Sequence, residues 1–516
     1  MISFEIPSLW KILFTLVLLL LCRIVVKYFV IPYFHLRKFK KIPGAHCIYR
    51  PIVGTLPDIV GDLEKYNDAA YSMKQIIRSN PDTKLVCFTL GAGVATIFTD
   101  LELIKEFLNR QLQIASKEIR TMDPDADRGI GLLFAEGARW KAQRKLISQV
   151  FHFDYMNQCY PTIKRTLREW INSNCTSHTS TVNISMKSKI YTSTVIWRIF
   201  FGEESFTQEK EEAEKLIALS MKNTNDTIAR MLSPWMILFG PKFFSLGLRA
   251  ADRQFARERA ELDNFFKSKL EKFKANLLED RKSGKVSERP LNLVELLIDA
   301  SMKADASDKM FDKDILAQMD TFFVAGTDTT AQLITMSHYV LGSNEDVQNK
   351  LREEVKRVVG ESEEIKYEHL LKMEYLNAFI KEVLRCYGPA TGLFPRMITE
   401  DTEIGGIKFH RGSAINASLL GAAWNPKYFA EPEVFRPERW LEKDGKGVKE
   451  PTAYLAFSAG SRRCIGEQLA LIEARTFMAE IVRRFKIEIP KEYKLRMSIG
   501  LVYEARDPVG VVYTKL

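Results

Sequence analysis

The sequence predicts an α+β domain, predominantly α, behind a short apolar N-terminal segment, and three observations predict it. Apolar residues recur with a helical period through most of the chain. The runs that alternate with period two are short and stand apart from the helical stretches, which is the pattern of a minor, segregated sheet. No internal repeat or Ser/Gly-rich linker divides the 516 residues, and 46% hydrophobic content is ample for one large core.

The elements follow in order. Leu9 to Ile31 is mostly apolar, densest from Ile12 to Cys22, and long enough to cross a bilayer. Arg23 and Lys27 interrupt its second half but can snorkel to the interface. The basic cluster Arg37, Lys38, Lys40, Lys41 follows, and the positive-inside rule then puts the bulk of the chain in the cytosol. A cleaved signal peptide is the rival reading, but the basic residues come after the apolar run and no small-residue cleavage site stands out. Residues 1–31 therefore read as an uncleaved anchor. Residues 32–60 read as a basic, proline-rich hinge, in which Pro32, Pro43, Pro51 and Pro57 exclude a continuous helix. Residues 61–516 read as one domain.

Within it, Lys84 to Leu90 and Val94 to Thr99 alternate around Gly91-Ala-Gly93, a hairpin signature. Helical patterns cover about 100–110, 137–150, 155–173, 184–201, 208–231, 250–280, 311–341, 345–358 and 373–387. Short strands return near 402–417 and again from 484 to the end. Two segments look like chamber walls: the turn-rich Asp123–Gly131, and Met231–Phe244, apolar and broken by two prolines.

The net charge is +10, from 75 Lys+Arg against 65 Asp+Glu. No aromatic-interleaved basic motif or reading helix points to nucleic acid. Part of the excess is the juxtamembrane cluster, which suits anionic membrane lipid. More lies at Arg139, Lys141, Lys145, Lys427, Arg463 and Arg475. The seven cysteines are odd in number and include no Cys-x-x-Cys pair, which fits a reducing compartment better than a disulfide framework or a zinc site. Asn174, Asn183 and Asn225 begin Asn-x-Ser/Thr tripeptides, which are common by chance and carry little weight. No Gly-x-Gly-x-x-Gly fingerprint for a flavin or a nicotinamide cofactor occurs.

The stretch Phe457-Ser-Ala-Gly-Ser-Arg-Arg-Cys-Ile-Gly466 carries the strongest chemical signal. A cysteine acts as ligand or nucleophile only as thiolate, a form that Arg462 and Arg463 beside Cys464 favour. Gly460 and Gly466 let the backbone turn tightly and approach a flat cofactor. The helical pattern that starts at Glu467 sets Cys464 at a helix N-terminus, which favours the thiolate further. Taken alone, a cysteine here would more often be a packed core residue.

Four further patterns accompany it. Trp140 and Arg144, one turn apart, share a helix face, as do Glu382 and Arg385. Pro437-Glu-Arg439-Trp440 follows. Thr321-Phe-Phe-Val-Ala-Gly-Thr-Asp-Thr-Thr330 is poor helix material, its Gly326 alone costing about 1 kcal/mol, and such a local lapse invites a functional reading. Its hydroxyls can take backbone carbonyls as partners and bend or widen the helix.

In their order and spacing these motifs resemble those of the cytochrome P-450 family over nearly the whole chain. The resemblance implies a haem b (iron protoporphyrin IX) with Cys464 as its axial thiolate, cradled by Phe457, Gly460 and Gly466 on one side and by Ala325 and Gly326 on the other. It implies that Trp140, Arg144, Arg396 and Arg462 serve the haem propionates. Glu382, Arg385 and Arg439 would form a buried triad that locks the cysteine loop, with Trp440 standing where the family pattern has Phe. Thr329 would hold the water through which protons reach the oxygen-activating centre, and Asp328 would relay protons to it. Several fatty-acid ω-hydroxylases of the family carry Glu where this chain has Ala325, so their covalent link to haem is unavailable here, although fatty-acid oxidation is not thereby excluded.

The implied protein is a haem-thiolate monooxygenase anchored in the endoplasmic reticulum membrane. It would act on a lipophilic substrate with dioxygen and with electrons from an NADPH-dependent flavoprotein reductase or a small cytochrome, docking on the basic face named above. Two rivals stay open: an isomerase or dehydratase of hydroperoxides that needs no reductase, and a haem-binding sensor or carrier. The intact Asp328-Thr329 pair speaks against the first.

Overall fold

The computed structural model describes residues 9–117, 130–151, 153–175, 181–231, 233, 235–236, 240, 242–283, 291–306, 308–360 and 364–516. The turn-rich 123–131 segment lies outside these residues except for its last two, and 231–244 is described only in part.

Helix Leu9–Val25 passes through a π turn, Val26–Val30, into helix Ile31–Phe39. Lys11–Phe39 is the one described helix long and apolar enough to cross a membrane, and none of its most apolar window is buried. The hinge expectation needs correcting at its start. Pro32 lies just after the π turn Val26–Val30, and the helix continues through it to Phe39. The turn comes at Gly44, whose φ of +82° favours glycine.

The chain divides into two compact units, residues up to Ser116 with Gly392–Pro426, and Lys117–Thr391 with Lys427–Leu516. The first holds a six-stranded sheet in the order Ala45–Ile48, Leu85–Leu90, Gly93–Phe98, Ala414–Ala417, Arg396–Ile398, Ala115–Ser116. The expected hairpin is present, with Leu90 opposite Gly93. Its second strand pairs in parallel with Ala414–Ala417, which periodicity alone does not reveal. Phe98 meets Phe107 and Phe409 edge-on, each at 5.6 Å between ring centroids, to fill the space under this sheet.

The second unit is mainly helical. The 32-residue helix Asp312–Ser343 runs through its core against helix Ile184–Phe201. Trp197 packs on Phe201 and Phe265 there. His338 lies buried edge-on to Phe477 and Tyr513. Small sheets close the unit, one ordered Phe485–Glu488, Gly510–Lys515, Val182–Asn183, the other the hairpin Met497–Ile499 with Tyr503–Ala505. Helix Leu293–Lys303 was not expected from periodicity, although its capping box, Asn292 with Glu295, stands in the sequence.

Candidate functional site

The cysteine loop is built from tight turns. Cys464 N–H donates to Phe457 O at 3.0 Å, Ser458 N–H to Leu455 O at 2.7 Å, and Arg463 N–H to Gly460 O at 3.2 Å. Gly460 has φ +69°, which a side chain would strain, and Ser458 accepts φ +61°. Gly466 caps the helix Glu467–Arg484 at an ordinary φ of −84°.

Cys464 is exposed, yet burial among the protein around it is the largest influence on its thiol and raises its pKa. The backbone N–H of Gly466, then Arg144 and Arg463, pull the other way, and Glu467 adds to the rise. Arg144 and Arg463 still favour the thiolate, as expected of adjacent arginines, and Arg463 is itself held by Glu467 at 2.7 Å.

Trp140 is buried on helix Gly137–Val150 with the Arg462 guanidinium 4.3 Å from its ring centroid. Arg462 also pairs with Glu136 at 2.9 Å and donates to Ala135 O at 2.7 Å, tying the cysteine loop to the entry of that helix. Arg144 donates to Arg463 O at 2.9 Å, and its own pKa is lowered by burial and raised by Cys464. Trp140, Arg144, Arg462 and Cys464 thus meet in one place. Arg396 opens a strand of the other unit and is buried there. Of the basic residues expected on a docking face, Arg139 is paired with Asp314 and Lys145 with Asp308, while Arg475 is half-buried.

Behind the loop, Glu382 is fully buried. It accepts from Arg385 Nε at 2.9 Å and Nη2 at 2.8 Å, and from Arg439 Nε at 2.9 Å. It also accepts from Trp440 Nε1 at 2.9 Å and from the Arg436 backbone N–H at 3.0 Å. Burial pushes this carboxyl upward, but the Arg385 hydrogen bond and the two arginine charges together hold it below the usual range. The guanidiniums spend their remaining donors on the carbonyls of Ala430, Pro432, Val434 and Gly447, which fixes the 430–447 segment. Trp440 is more than a tolerated replacement, because it supplies a donor that Phe lacks.

The helix Asp312–Ser343 is unbroken through Gly326. A Cβ at Gly326 would sit 2.7 Å from Ile196 Cδ1, so this glycine lets helix Ile184–Phe201 approach closely. Thr329 Oγ1 donates to Ala325 O at 2.6 Å, one turn back, while Thr327 has a buried hydroxyl with no hydrogen-bond partner. Ala325 is exposed although the helix around it is largely buried. Asp328 turns to Lys189 Nζ at 3.3 Å, which also meets Glu504 at 3.0 Å. Side-chain exposure falls from 31% at Glu504 through 20% at Lys189 to 13% at Asp328, a charged chain leading inward. Sequence reasoning missed Lys189 and Glu504, since nothing local links them to Asp328.

These residues fit a flat iron-bearing group. Gly466 needs glycine neither for its φ nor for any protein neighbour, since a Cβ there would meet nothing within 4 Å, and the freedom suits a planar ligand lying against it. The thiolate is a soft donor suited to iron. The Cytochrome P450 family model matches residues 53–504. The chain belongs to the cytochrome P450 family. It is 30% identical to Cytochrome P450 4V2 of Mus musculus over 395 residues, 72% of this chain and 70% of that one. It is 26% identical to Cytochrome P450 4A10 of Mus musculus, covering 81% and 80% of the two chains. The crystal structure of the cytochrome P450DA haem domain superposes with a TM-score of 0.71 at 18% identity, covering 87% of this chain and 93% of that one, which shows the shared fold. As a cytochrome P450 the protein is a monooxygenase with haem b on a cysteine thiolate, and it works with dioxygen, a lipophilic substrate and a redox partner.

Proposed function

We propose that this cytochrome P450 inserts one atom of dioxygen into a C–H bond, or across a double bond, of a fatty acid, sterol, terpenoid or xenobiotic. Its electrons would come from NADPH through a separate flavoprotein reductase, and Cys464 would be the axial ligand. The observation that carries this is Cys464 itself, exposed in a turn-locked loop at a helix N-terminus with Arg144 and the Arg462–Trp140 pair beside it. When bound, the thiolate-ligated haem supplies the oxygen chemistry. The chain's residues do the rest. Gly460 and Gly466 shape the loop against the macrocycle, and Trp140, Arg144, Arg396 and Arg462 serve its propionates. Ala325 and Gly326 would also line the haem site, and Thr329 would hold a water to which Asp328 would hand protons. Residues 61–516 would act as the catalytic domain, on a hinge that begins after Phe39.

Cys464→Ala should abolish the red-shifted Soret band of the reduced carbon monoxide complex. A normal thiolate spectrum in that variant would remove Cys464 from the role.

The helix up to Phe39 would anchor the protein in the endoplasmic reticulum with the domain in the cytosol, as its apolar span and the cluster Arg37, Lys38, Lys40, Lys41 support. Protease added to intact microsomes should digest the domain. Protection, or glycans at Asn174, Asn183 or Asn225, would reverse the orientation.

A further inference from the structure

Strands Ala45–Ile48 and Leu85–Leu90 pair in parallel with Cys47 directly opposite Cys87. Neighbouring strands lie about 4.7–4.9 Å apart, inside the Cα separation of roughly 4.4–6.8 Å that a disulfide spans. Opposed residues of such a pair point to the same face, so the two thiols lie side by side. Cys87 Sγ also lies 3.6 Å from Thr96 Oγ1 on the next strand. Among the described residues, no other two cysteines face each other across a strand pair. We propose that Cys47 and Cys87 are a peroxide-oxidised thiol pair that closes to a disulfide, tying the first strand after the membrane anchor to its neighbour.

The two sulfurs are unequal in the way such a pair requires. Cys47 is half-buried, while Cys87 is fully buried. The neighbouring Cys87 lowers the Cys47 thiol, and Lys40 at the end of helix Ile31–Phe39 lowers it further, whereas Cys87 is raised by its neighbour and by burial. An accessible, acidified thiol beside a resolving cysteine is the arrangement of a redox-sensing site.

The chemistry balances with hydrogen peroxide as oxidant. Cys47 thiolate attacks one peroxide oxygen, the O–O bond breaks, and hydroxide leaves to become water, so that Cys47 becomes a sulfenic acid. Cys87 gives up its proton and attacks the Cys47 sulfur, the S–O bond breaks, and a second water leaves. Two thiols have lost two electrons to one peroxide, and one disulfide and two waters result.

The test uses the full-length, haem-loaded protein in detergent micelles. It is treated with graded hydrogen peroxide, blocked with N-ethylmaleimide, digested without reductant and analysed by mass spectrometry. The expected product is a linked Cys47–Cys87 peptide pair that separates on reduction. In Cys87→Ser the same peroxide dose should leave Cys47 as a sulfenic acid trapped by dimedone, at least ten-fold above wild type. In Cys47→Ser, Cys87 should stay unoxidised. Full N-ethylmaleimide labelling of Cys47 in wild type at a dose that oxidises it in Cys87→Ser would overturn the proposal, as would a Cys47 that resists peroxide in both.

Discussion

Glu382 and Asp328 are both carboxylates on helices of the second unit and both face cations, but their surroundings differ. Glu382 accepts from five donors with none of its side chain exposed, and its partners are themselves pinned to backbone carbonyls. Asp328 meets a single ammonium at 3.3 Å, keeps 13% of its side chain exposed, and shares that ammonium with Glu504. A charge so fully surrounded cannot give up its position or take a proton without stranding buried partners. A carboxylate with one shared partner keeps part of its surface open to solvent. The same pair type thus builds a closed site in one place and an open one in the other, which suits the relay proposed for Asp328.

The largest effect should come from breaking the closed site. Glu382→Ala strands two buried guanidiniums, at a cost of about 3–5 kcal/mol, and should lose haem and fold together, read by thermal unfolding and Soret absorbance. A stable, haem-loaded variant would show that the cluster does not lock the cysteine loop.

A smaller perturbation sharpens the same site. Trp440→Phe removes one N–H from the buried carboxylate while its ring contacts with Phe429 and Tyr454 keep their filling. The loss should be roughly 1.5 kcal/mol with haem retained. An unchanged urea midpoint would mean that Trp440 is only a filler.

The smallest effect on stability is expected at the open site. Thr329→Ala and Asp328→Asn should stay within about 1 kcal/mol of wild type, since Lys189 keeps Glu504 as a partner. Both should keep the thiolate spectrum but divert electrons from NADPH to hydrogen peroxide, measured as peroxide formed per NADPH consumed. Haem loss in Thr329→Ala, or full coupling on the natural substrate, would withdraw the proton-delivery role and move the hydroperoxide-isomerase reading ahead.

Much of the site was legible because its signals are local. The turn at Gly460 and the helix after Gly466 depend on neighbours in the chain, and so does the Glu382–Arg385 pairing on one helix face. Gly326 has a second role that was not legible, for the opposite reason. Its missing Cβ answers to Ile196 on another helix, and a local sequence lapse cannot say which neighbour it accommodates. Trp440 was visible as a substitution, but its value as a donor depends on Glu382 being within 2.9 Å of its indole nitrogen.

By itself the sequence determined most of the long helices, the apolar N-terminal span and the turns of the cysteine loop, since periodicity, capping and turn chemistry act over a few residues. Only the tertiary structure decided which distant segments share a sheet, as when Gly93–Phe98 pairs with Ala414–Ala417. It alone brought Lys189 and Glu504 to Asp328, and set Cys47 opposite Cys87. The physical reason is that burying apolar surface carries little pairing information until the whole core closes, and ion pairs and strand registers then follow from which backbones that closure brings together.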